Sequence, residues 1–172
     1  MAEPLVKLAE IVSETQAFQE RAGLTYQDGN ASEKLIYGRF SEKQRIFLPS
    51  APCQLQDLLD LMPVAVIQRA QFHATTRAGG QQNYVRPFGQ LRLILADVDR
   101  MGGIVPSMID FDNFAGQVAS QAYALFAKDD RLDASGIHEW PDGSKLCSET
   151  EQFSRGQFYW MTEFLIDWGQ PG

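Results

Sequence analysis

Leu5, Leu8, Ile11, Val12 and Phe18 recur near the 3.6-residue helical period across residues 4–22, with Lys7, Glu10, Glu14 and Glu20 between them. The spacing predicts one amphipathic helix. Pro4 suits its first turn, and Gly23 is a plausible stop. Residues 24–34 are polar and turn-rich. Two β-like runs follow, Lys34–Phe40 and Arg45–Leu48, joined by Ser41–Gln44 as a small hairpin. Ser50, Ala51 and Pro52 open a short helix carrying Leu55, Leu58, Leu59 and Met62, which Pro63 ends.

Alternation replaces helical spacing in the next stretch. Over residues 64–74, Val64, Val66, Ala70 and Phe72 fall on one face, and Arg69, Gln71 and His73 on the other. Residues 89–98 alternate again, with Leu91, Leu93 and Leu95 inward and Gln90 and Arg92 outward. The intervening 75–88, with paired Gly79 and Gly80, reads as a hairpin loop, so the two runs form an antiparallel pair. Residues 99–109, containing Gly102, Gly103 and Pro106, form a connection. Asp110 or Asp112 then caps a helix with Phe111, Phe114, Val118, Ala122, Leu125 and Phe126 on one stripe. That helix ends in the polar run Lys128–Asp133.

Gly136–Trp140 reads as a short strand and Pro141-Asp142-Gly143 as a turn. In the last segment, Gln157–Trp168, the residues Phe158, Trp160, Phe164, Ile166 and Trp168 take alternate positions. Aromatic density favours a strand there over the helical spacing that fits part of it. The order predicts an α+β fold: a mostly antiparallel sheet with two main helices on one side, a small β-hairpin and long loops. Without an internal repeat or a linker, residues 1–172 read as one domain.

Composition narrows the function classes. The 172 residues are 44% hydrophobic and 22% charged, which is ordinary globular composition. Fifteen Lys and Arg against 22 Asp and Glu give a net charge of −7, the reverse of what a duplex-DNA binder carries. Cys53 and Cys147 lie far apart and form no disulfide framework or zinc pattern, so two reduced thiols are expected. The N-terminus lacks the basic and apolar regions of a signal peptide, and no apolar run approaches a membrane span. A soluble protein made in a cytoplasm is expected.

The sharpest enzyme-like feature is acidic. Asp97 and Asp99 follow the apolar run LRLILA, and Asp110 and Asp112 follow IVPSMI. Carboxylates at strand ends hold divalent metals for phosphoryl transfer. Downstream, Ser135-Gly136-Ile137-His138 resembles the small-residue-plus-His motif of archaeo-eukaryotic primases, which makes a metal-dependent nucleotidyl-transfer enzyme the alternative reading. Against it, KDDRLDA rather than an apolar strand precedes His138. The structural account is simpler: Asp97 and Asp99 end a strand, and Asp110 or Asp112 caps a helix. His73 and His138 have no second ligand at metal spacing. There is no G-x-S-x-G, and Gly79-Gly80 has no phosphate-cradle pattern around it. Catalytic, metal and cofactor sites are therefore not expected.

Two stretches point outward. Residues 77–86 carry Arg77, Gln81, Tyr84 and Arg86 among glycines and read as an assembly arm rather than core. Tyr159 and Met161 give the last strand bulky residues on its second face, so that face is expected to meet a helix or another subunit.

The order and texture of these segments resemble the tail terminator (tail completion) proteins of long-tailed bacteriophages. The likeness runs through the N-terminal helix, Leu61-Met62-Pro63-Val64-Ala65-Val66, the long hairpin and Gly89-Gln90-Leu91-Arg92-Leu93-Ile94-Leu95. It continues through the helix Asn113–Lys128, the loop Asp130–His138 and the closing run from Tyr159 to Gly169. It spans nearly the whole chain, with 24–50 the least comparable part. The resemblance implies a virion protein of the neck and tail, made in the host bacterial cytoplasm. Such a protein assembles as a ring, commonly a homohexamer, that caps the tail tube protein and docks the head connector. DNA passes through the lumen, in keeping with the acidic balance, and no cofactor or membrane is involved. A head–tail connector or a tail-tube protein is close in role.

Overall fold

The computed structural model describes residues 4–23, 45–48, 55–76, 85–126, 134–139, 144–148 and 158–169. Its architecture is α+β. The helices are α1 (Pro4–Glu14), α2 (Gln16–Arg21) and α3 (Val105–Phe126), with a 3-10 turn at Leu55–Leu61. The strands are β1 (Ile46–Phe47), β2 (Val64–Thr76), β3 (Val85–Val98), β4 (Ala134–Glu139), β5 (Lys145–Ser148) and β6 (Phe158–Trp168). They form one six-stranded sheet in the order β1-β2-β3-β6-β4, with β5 also paired to β6. β1 runs parallel to β2, and every other pairing is antiparallel.

The helices share one face of the sheet. Leu8, Ile11 and Val12 of α1, Phe18 of α2 and Phe111, Phe114 and Val118 of α3 pack on Ile67, Leu91, Leu93, Leu95, Phe164 and Ile166. The leucine alternation of β3 and the aromatic stripe of α3 are the sequence features that build this layer. On the opposite face, Leu58 and Leu59 of the 3-10 turn cover Val64, Val66, Ile94, Ala96 and Tyr159. β2 therefore begins with four buried residues in a row, Val64–Ile67, because it is covered on both sides.

Several sequence expectations change. The helix expected over 4–22 breaks at Thr15, whose ψ of 133° is extended. The Ser13 hydroxyl donates to the Glu10 carbonyl and the Thr15 hydroxyl to that of Val12. Such local side-chain bonds compete with the helical ladder, and Gln19 Nε2 reaches back 2.6 Å to the Ser13 carbonyl. The chain does stop at Gly23, where φ is +80°. α3 starts at Val105, so Asp110 and Asp112 lie inside it and cap nothing. Pro106 fits the first turn, where no N–H is required, and the Ile104 carbonyl accepts from the N–H groups of Ser107 and Met108.

A bulge in β2 interrupts its alternation. Arg69 pairs with Leu91 and Gln71 with Gln90, so Ala70 is the extra residue and the phase read through 64–74 does not hold. The hairpin ladder continues to Thr76 and Val85, which places 85–88 in strand rather than loop. β1 pairs with β2 instead of closing a hairpin of its own. The turn at 55–61 is 3-10, and Met62 lies beyond it. The expected elements at 24–40, the opening residues Ser50, Ala51 and Pro52, Cys53, the run Lys128–Asp133 and the turn at 141–143 lie outside the described residues.

Candidate functional site

Of the four aspartates singled out as metal ligands, Asp97 and Asp110 share one partner, and Asp99 and Asp112 each have a different one. Arg21, the last residue of α2, stands between two of them. Its Nε donates to Asp97 Oδ2 at 2.6 Å and its Nη2 to Asp110 Oδ2 at 2.7 Å. Asp97 belongs to β3 and its side chain is only 1% exposed. Asp110 is one turn into α3 and partly exposed. The guanidinium thus ties α2, the sheet and α3 together, and its carbon lies 5.3 Å from the Phe114 ring centroid. Burial opposes the charge of Arg21, but the bonds to Asp110 and Asp97 outweigh it and raise its pKa. The bond from Arg21 is also the main reason that the Asp110 carboxyl sits below its ordinary value.

Asp99 closes the turn that follows β3. Burial pushes its carboxyl up, yet donors from the Ser107 hydroxyl, the Met101 N–H, Trp160 and the Gly103 N–H overcome this and hold it low. Trp160 Nε1 lies 3.2 Å from Asp99 Oδ1 and 3.1 Å from Ser107 Oγ. Gly102 and Gly103 both adopt positive φ, +76° and +75°, and a Cβ on Gly103 would come within 3.0 Å of Leu146 Cδ2. Asp112, on the outer side of α3, accepts from the Ser144 hydroxyl. Among the described residues, no group of three or more His, Cys, Asp or Glu comes together to hold a metal ion.

The same end of the molecule carries apolar side chains that the chain leaves open. Met101 and Ile104 flank the paired glycines, Val105 begins α3, Leu146 lies on β5 and Phe158 begins β6. Their exposures run from 41% for Leu146 to 62% for Val105. Leu146 meets the turn at Gly103, and the Asp99 N–H donates to the Phe158 carbonyl at 2.8 Å, so turn, β5 and β6 are joined here. Arg100, about half exposed, and Asp112 bring both charge signs to this end.

The expected assembly residues are placed differently. Arg77, Gln81 and Tyr84 lie outside the described residues, and Arg86 is in β3 opposite Thr75. Tyr159 is 7% exposed and Met161 half-buried; both belong to the second core layer. What their face meets includes the chain's own 3-10 turn, so Tyr159 offers little surface to another subunit. Desolvation and the neighbouring Cys147 push the Tyr159 hydroxyl up to about 12. His73 and His138 are in β2 and β4. On the outward sheet face, Arg92 makes a two-pronged ion pair with Glu163 at 2.5 and 2.9 Å, and Gln90 Nε2 donates to Asp167 at 2.8 Å.

Sequence reading missed Arg21 and the exposed apolar group. Nothing local links Arg21 to a carboxylate 76 positions away. The apolar group did leave a trace, because Met101, Ile104 and Val105 are apolar in a stretch read as a connection.

No protein-family model matches the chain, and no curated protein matches it either. Among the described residues, no helix is long and apolar enough to cross a membrane.

Proposed function

We propose that the chain is a structural assembly subunit, a ring-forming protein of the kind that closes the tails of long-tailed bacteriophages and docks them to the head. The observation that carries this reading is the exposed apolar group Met101, Ile104, Val105, Leu146 and Phe158 at one end of the sheet. Exposed apolar side chains gathered at one place, with charges of both signs near them, are the composition of a protein-docking surface. The paired carboxylates are bound up in structural contacts with Arg21, Ser107, Trp160 and Ser144, which favours an architectural role for them. An acidic chain of net charge −7 suits a ring whose lumen lets DNA slide without adhering. In this reading the partners are further copies of the chain, commonly six in all, then the tail tube protein below and the head connector above. The protein resides in the virion neck.

Native mass spectrometry and negative-stain electron microscopy of the purified protein test the reading. Rings with a central opening, which cap tail tubes when mixed with them, are the expected result. A protein that stays monomeric and ring-free, and fails to bind tail tubes, overturns it.

A further inference from the structure

We draw no further inference here: the strongest candidate, the outward side of α3 around Gly116 with exposed Ile109 and Tyr123, carries nothing, because Asp112 and Gln121 at its border are already held by Ser144 and the Ala17 N–H and nothing in the structure shows what covers it.

Discussion

Arg21 shows how one side chain holds three elements together. Its bond to Asp97 is the shortest that this buried carboxylate receives, ahead of the Val98 N–H at 2.9 Å and Arg100 at 3.4 Å. Removing one partner of a buried pair typically costs about 3–5 kcal/mol, because the remaining charge is stranded. Arg21→Met is therefore expected to lower the free energy of unfolding by about that amount in urea titrations. Adding Asp97→Asn should recover part of the loss, since the stranded charge is then gone. Asp99 and Asp110 give acid sensitivity. Both carboxyls lie below their ordinary value of 3.8 in the folded chain. Their contribution is complete above that value and is lost as the pH falls through the lower folded-state values, where the native state must take up protons. Urea midpoints between about pH 6 and about pH 2 should drop below about pH 4, and Asp99→Asn should make that drop shallower.

At the scale of elements, β6 joins the sheet to the turn that launches α3. Trp160 stacks on Phe111 with ring centroids 6.5 Å apart, and its indole N–H reaches both Asp99 and Ser107. Two substitutions separate these roles. Trp160→Ala removes the packing and should cost about 3–5 kcal/mol, enough to leave the domain barely folded. Trp160→Phe keeps most of the ring and loses the donor, which should cost about 1–2 kcal/mol. Thermal unfolding followed by circular dichroism checks both. Equal losses in the two variants would mean that the hydrogen bonds, and not the ring contacts, hold this corner. The helix break at Thr15 belongs to the same scale. α1 packs on the sheet beside β1 and β2, and the break lets α2 turn so that Arg21 reaches Asp97 and Asp110.

At the scale of the molecule, two surfaces carry exposed apolar side chains: the open apolar end, and the outward side of α3 with Ile109 and Tyr123. The first is the one on which ring formation is proposed to depend. Val105 is its most exposed member and makes a sensitive probe. Val105→Asp should leave the melting temperature within about 2 °C, because an exposed first-turn residue contributes little to the core and a negative charge suits a helix N-terminus. The same change should shift the protein from rings to monomers in native mass spectra. Rings that survive it would place the subunit contact elsewhere.

The chain pattern by itself determined the β2–β3 hairpin, the aromatic strand at the C-terminus, the buried stripe of α3 and the α+β class. Each of these rests on periodicity, and periodicity is a local property: Leu91, Leu93 and Leu95 alternate whatever lies above them. Tertiary structure decided the rest. Ser13 and Thr15 break a helix that its hydrophobic spacing would have continued, because their hydroxyls bond to backbone carbonyls instead. Asp110 and Asp112 resemble caps until Pro106 and the Ile104 carbonyl set the start of α3 earlier. Tyr159 resembles an outward residue until folding buries it in one cluster with Leu58 and Leu59. What Asp97 and Asp110 face is Arg21, which is distant in sequence from both. Whether two carboxylates face a metal or a guanidinium depends on what folding brings between them, and no local pattern encodes that.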